Sequence, residues 1–264
     1  MSKTVQYIKI REHKYGVEKH AHRQIELLKG YAENGVVDLD FLFDVSMKVD
    51  DVCRYTVKVC ANKFVLHKNE TKDDIFNKSS FNDIAPIFEK PSLVIILESP
   101  HKYEYGMSEN DEVWPKAPAQ KETGDKIESL LEDLLNKSNL IKKMDRRFKE
   151  FQVILSNPVP YQTSLYSLHK KELNVPGVRT MRDKIWKILW PEVEDEFCAL
   201  IKEYKAIAIV NACTFSLRGY VSDKLDSFYE GPVCIAKKHP SFWHKNLKLD
   251  FKKSPRCQAV STGS

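Results

Sequence analysis

The chain has 264 residues, 42% of them hydrophobic and 30% charged, with a formal net charge of +5. That length supports a sizeable core in one large domain, or one domain with an appendage, and no stretch reaches the length of a membrane span. The six cysteines (Cys53, Cys60, Cys198, Cys213, Cys234 and Cys257) form no C-x-x-C pair, which excludes a local zinc or iron–sulfur motif and fits reduced thiols in a cytosolic protein.

The N-terminal stretch MSKTVQYIKIREHK has no apolar h-region, so no secretory signal is expected. Residues 1–90 read as an N-terminal α+β extension or cap. Tyr15, Val17, Ala21, Ile25, Leu28 and Tyr31 make an imperfect helical stripe. Leu39 to Val49 is apolar and fits helix or strand. Cys53, Tyr55, Val57 and Val59 alternate with Arg54, Thr56 and Lys58, which predicts a half-exposed strand. A turn at Ala61-Asn62-Lys63 joins it to a hairpin partner at Phe64 to Leu66. Lys68 to Ser80 reads as a polar surface connection. His13, His20 and His22 sit among charges as solvated residues, and neither a metal nor any other cofactor is expected.

Leu93 to Leu97 is an unbroken apolar run, as in a strand buried on both faces. It empties into Glu98-Ser99-Pro100-His101. Pro100 cannot extend a ladder, so a carboxylate, a hydroxyl and an imidazole come to stand at the carboxyl end of a central strand. That is where ligands bind in open α/β sheets. The loop from Lys102 to Thr123 carries Tyr103, Tyr105 and Trp114, which suit either a stacking surface or packing onto the body. Ile127, Leu130, Leu131, Leu134 and Leu135 predict a helix beginning near Gly124, and the basic run from Lys137 to Lys149 reads as a solvated face. A second strand, Phe151 to Leu155, runs into Ser156-Asn157-Pro158. Two helices are expected next, over Leu173 to Trp190 and Val193 to Tyr204. The third strand, Ala206 to Val210, ends at Asn211 and is followed by a helix with Phe215, Leu217, Val221 and Leu225. The fourth, Pro232 to Ala236, leads through Lys237 and Lys238 into His239-Pro240-Ser241-Phe242-Trp243. Residues 251–264 form a polar tail.

Strands alternating with helices imply parallel pairing by crossover connections. The expected fold is therefore α/β, a three-layer sandwich whose central four-stranded, mainly parallel sheet lies within residues 91–250. Glu98, Asn157, Asn211 and His239 then converge on one edge of the sheet.

In order and spacing, these motifs resemble the uracil-DNA glycosylase superfamily over about residues 90–245. LESPH stands where branches of that family have GQDPYH or GEAPG. Glu98 matches the glutamate of the second form, Ser99 falls where the first has its catalytic aspartate, and His101 falls where it has a tyrosine facing the thymine methyl. Glu122-Thr-Gly-Asp-Lys-Ile-Glu-Ser-Leu-Leu resembles the helix start that follows in the iron–sulfur branches, whose cysteines are absent. Ile154-Leu-Ser-Asn157 resembles the strand ending in an asparagine that reads the base edge. His239-Pro-Ser-Phe-Trp243 resembles HPSPL, with Trp243 at the position of the leucine wedge.

The resemblance implies hydrolysis of the N-glycosidic bond of uracil or another modified base in DNA. Such a reaction needs negative charge near the sugar or the attacking water, and donors at the base oxygens. Glu98 is assigned to the first task and His239 to the second. Asn157, Ser99, His101 and Tyr105 are assigned to the base, and Ser241, Phe242, Trp243, Lys237 and Lys238 to the DNA. The implied partner is single- or double-stranded DNA, in the cytoplasm, nucleoid or nucleus, with no membrane association. Two alternatives stand beside this reading. One is a non-catalytic nucleic-acid or nucleotide-binding module on the same fold, given Ser99 in place of aspartate. The other is an N-glycosidase of free nucleosides or nucleotides.

Overall fold

The computed structural model describes residues 48–69, 79–107, 113–145, 147–163 and 178–253, with the backbone of 9–11 and 36–38. The helical stripe of residues 15–31, most of the apolar stretch from Leu39 and the start of the helix expected from Leu173 lie outside the described residues. No helix among the described residues is long and apolar enough to cross a membrane.

In chain order the elements are β1 (Lys9–Arg11), β2 (Val36–Asp38), β3 (Val52–Cys60), β4 (Lys63–Lys68), β5 (Ser92–Ile96), β6 (Tyr105–Met107), β7 (Val113–Pro115), α1 (Glu122–Lys137), β8 (Glu150–Ser156), α2 (Val178–Glu203), β9 (Ala206–Asn211), α3 (Phe215–Phe228), β10 (Pro232–Ile235) and β11 (Phe251–Lys253). The four strands expected from their apolar runs are β5, β8, β9 and β10, and they pair in parallel as neighbours. The sheet is wider than four strands, however. Its order is β11-β10-β9-β5-β8-β3-β4, with antiparallel strands added on both sides. The hairpin read as part of the N-terminal extension pairs with β8, and Phe251–Lys253 of the polar tail pairs with β10. Ala61 and Asn62, at φ 46° and 64°, form the two-residue turn between β3 and β4. Positive φ at both positions matches the right-handed twist of hairpin strands.

Alternation along β5 assigns its two faces. Leu93, Ile95 and Leu97 pack with α1, whereas Val94 and Ile96 pack with α2 and α3. The structure is thus a mixed α/β fold around a mainly parallel sheet, with apolar clusters on both faces. The two helices expected between β8 and β9 are one helix, α2, with Pro191 inside it. Trp186, Leu189, Trp190, Val193 and Phe197 continue one buried face past the proline. Pro191 itself is on the exposed side, where solvent can serve a carbonyl that loses its helical partner.

The end of α1 is tied to both rims of the sheet. Asn136 bonds the amide and the carbonyl of Phe64 in β4, at 2.8 and 2.9 Å. Asn139, just past the helix, does the same for Phe251 in β11, at 2.8 and 3.0 Å. The rims of a flat seven-stranded sheet would lie roughly 29 Å apart at ~4.8 Å per strand. Residues three apart on one chain cannot span that gap, so the sheet curls around α1.

Candidate functional site

β8 follows β5 on one side, and β9 returns on the other. The chain therefore reverses its winding beside β5, and a crevice opens at the carboxyl ends of such strands. A cavity of about 310 Å³ lies there, lined by Glu98, Ser99, His101, Glu104, Arg182 and His239 among others. Its size falls at the lower end of small-molecule pockets, which begin near ~300 Å³.

Glu98 follows β5 and is 5% exposed. Oε1 pairs with Arg182 Nη1 at 2.8 Å, and Oε2 accepts the Thr214 amide at 3.1 Å. The Glu98 carbonyl accepts from Trp186 Nε1 at 2.9 Å, which anchors the turn to α2. Burial raises the carboxyl above its ordinary range, and the Arg182 guanidinium and Thr214 oppose that rise. Arg182 and Thr214 belong to the site, yet neither stood out in the sequence. An arginine near the start of a long helix carries no local signal of its partner 84 positions away.

His239 follows β10 and caps a short turn over Pro240–Phe242. Its Nδ1 accepts from the Ser241 amide at 3.4 Å and lies 3.0 Å from Ser241 Oγ. Accepting at Nδ1 leaves the ring proton on Nε2. Burial, then the charges of Arg182 and His101, press the imidazole down to about 4. At neutral pH it is an uncharged N–H donor.

The remaining expected residues divide. Ser99 and His101 line the cavity. The Ser99 hydroxyl is 2.7 Å from that of Thr163, and the His101 ring lies 5.1 Å from that of Tyr103. Ser241 and Phe242 are on the rim, with Phe242 69% exposed. Lys237 and Lys238 are exposed beside them in sequence. Tyr105 is not a stacking residue. It is buried against Val49, because β6 turns it inward, and Tyr103 is the aromatic that lines the cavity. Trp243 is not a wedge either. It is 2% exposed, packs in the cluster under α1, and donates Nε1 to the Lys238 carbonyl at 3.1 Å.

Asn157 is buried behind the cavity rather than in its lining. Its Nδ2 donates to Glu104 Oε2 at 3.0 Å, while Oδ1 has no partner among the described residues. Glu104 lines the cavity and accepts the Ala119 amide on Oε1 at 3.0 Å. Burial pushes its carboxyl up to about 8 against the pull of these donors. Sequence reasoning missed Glu104, which lies in a charged, irregular loop with no periodicity to mark it.

That loop is held from below. Arg54 donates to the carbonyls of Ala119 and Pro118, at 2.8 and 2.6 Å, and pairs with Asp83. Ala119 and Lys121 have φ of 55° and 53°, a conformation that persists in non-glycine residues only where surroundings enforce it. A Cβ on Gly124 would meet the Ala119 carbonyl at 2.2 Å and the Phe81 ring at 2.3 Å, so glycine lets the loop close on α1. Asn157 also borders a second cavity, of about 460 Å³, with Asp51 and Tyr204.

Among the described residues no three His, Cys, Asp or Glu side chains are grouped to hold a metal ion. In comparisons with known proteins, no family model, curated protein or solved structure matches the chain.

Proposed function

We propose that the chain hydrolyses the N-glycosidic bond of uracil or another modified base in DNA. The observation that carries this reading is that Glu98, paired with Arg182, and His239, uncharged in its buried setting, come from the ends of β5 and β10 to line one cavity. Water adds its oxygen to C1′ as the C1′–N bond breaks, and the base leaves with the bonding electrons. Glu98, in the carboxylate form that Arg182 pairs with, orients that water, takes its proton and offsets positive charge on the sugar. His239 gives a hydrogen bond from Nε2 to the base oxygen on which negative charge grows. A neutral imidazole suits this role, since it loses no proton before the base departs. Exposed Phe242 fills the space of the displaced base, and Lys237 and Lys238 contact phosphates.

A second reading is favoured by the Arg182 ion pair, which spends part of the Glu98 charge. On that reading the site binds a base without cutting. Incubation with oligonucleotides carrying uracil, hypoxanthine or alkylated bases, scored for abasic sites, separates the two. Base release supports hydrolysis. Bound but intact oligonucleotide throughout the panel overturns hydrolysis and leaves the binding module.

A further inference from the structure

We propose that Glu104, rather than Asn157, meets the target base, presenting a carboxylic acid to a base edge with one N–H and one C=O, and that Asn157 is its positioning residue. This rests on the base-recognition reading above. Glu104 lines the cavity shared by Glu98 and His239, whereas Asn157 does not. The Asn157 amide is spent on Glu104 Oε2, and the Ala119 amide fixes Oε1. The carboxyl is therefore held in one orientation by groups outside the cavity, as a recognition group must be.

A neutral carboxyl offers a donor and an acceptor side by side, and so complements a lactam such as the imide edge of uracil or the N1–O6 edge of hypoxanthine. An ionised carboxylate only accepts, and it would oppose the lactam oxygen. Burial favours the acid at Glu104, while its hydrogen-bond donors and the Arg54 charge pull the other way. The Arg54 charge is shared with Asp83, the Glu98 charge with Arg182, and the Tyr105 phenol beside it is held protonated by burial. His101 also gives Glu104 a backbone hydrogen bond, and Glu122 lines the same cavity. Against these donors burial still dominates, so the acid persists to about pH 8.

The test uses 2-pyridone, a flat lactam, with N-methyl-2-pyridone as the control lacking the N–H. Binding is followed by NMR titration across pH. 2-Pyridone is expected to bind the wild type with constant affinity below about pH 8, and to weaken about tenfold per pH unit above it, as loss of a single proton requires. The N-methyl compound is expected to bind at least tenfold more weakly. Glu104→Gln, whose amide does not titrate, is expected to flatten the profile. Asn157→Ala, which removes a donor to the charged form, is expected to move the break upward, and it serves where the glutamine variant misfolds. Absence of 2-pyridone binding, equal binding of the two compounds, or a wild-type profile without the alkaline break each overturns the proposal. Base release from DNA is scored separately, so hydrolysis can fail while this recognition stands, and the reverse.

Discussion

Arg54 and Asp83 meet as a two-pronged pair, Nε to Oδ1 and Nη2 to Oδ2, each at 2.7 Å and both out of solvent. Ser79 Oγ donates to the same carboxylate at 2.7 Å. Two further guanidinium protons hold the loop that supports Glu104. Removing one member of a buried pair leaves an uncompensated charge, which costs about 3–5 kcal/mol. Asp83→Ala should lose that much in urea unfolding and should also weaken lactam binding, because the Ala119 amide shifts. The double replacement Arg54→Met with Asp83→Leu removes the stranded charge but leaves the Pro118 and Ala119 carbonyls without their donor, so it is expected to recover part of the stability and none of the binding. Recovery of both would mean that the pair does not position the loop.

Glu98→Gln keeps the shape of the side chain and removes its charge. Arg182 is partly exposed and can turn to water, so the fold should survive with little change in melting temperature. Base release should fall by about 10²- to 10⁴-fold, the range for loss of a positioned general base. Oligonucleotide affinity should change far less. Undiminished release in the variant would remove Glu98 from the mechanism.

His239 carries a pH signature of definite sign. Its unfolded value of 6.5 exceeds its folded value of about 4. Between the two the unfolded chain binds the extra proton, so this residue lowers stability as pH falls through that window. At ~1.36 kcal/mol per unit the effect reaches at most about 3 kcal/mol. Asp51 and Glu104, raised to about 7 and about 8, act in the opposite direction and lower stability as pH rises. The informative quantity is therefore the difference between wild type and His239→Gln in denaturant melts. That difference should shrink as pH falls from 6.5 to 4. A difference independent of pH would show that the ring is not shielded.

Phe242 and Trp243 are adjacent but should behave oppositely. Phe242→Ala should leave stability within about 0.5 kcal/mol, as for most surface changes, and should weaken oligonucleotide binding. Trp243→Ala should cost about 3–5 kcal/mol by emptying a core position. Equal stability losses in the two variants would contradict the burial described above.

The four parallel strands are legible because each is an apolar run ended by a polar residue, a pattern that burial on both faces imposes on β5 and β8 and that holds more loosely for β10, where Ile235 is exposed. The hairpin at 52–68 was legible as a hairpin. Its attachment to β8 was not, since pairing between segments some hundred residues apart leaves no local trace. The convergence of Glu98 and His239 followed from topology alone. Asn157 was placed at the correct strand end, but its side chain turns behind Glu104, and one residue of pleat decides such a choice. The motif position of Trp243 suggests a wedge, whereas its size determines that it fills the space under α1. Arg182 and Glu104 acquire meaning only from partners distant in sequence.

The paired grip of Asn136 and Asn139 on Phe64 and Phe251 makes the helix they terminate a shared fastener. Detaching it would bare two strand margins at once, so neither margin can loosen by itself. The amides of Phe64 and Phe251 should exchange with deuterium at a common rate although they lie at opposite ends of the strand order. The same fastening occupies the backbone groups of one residue in each outer strand, and Glu132 takes the Leu66 amide beside it, so part of the surface through which foreign strands would add is already spent.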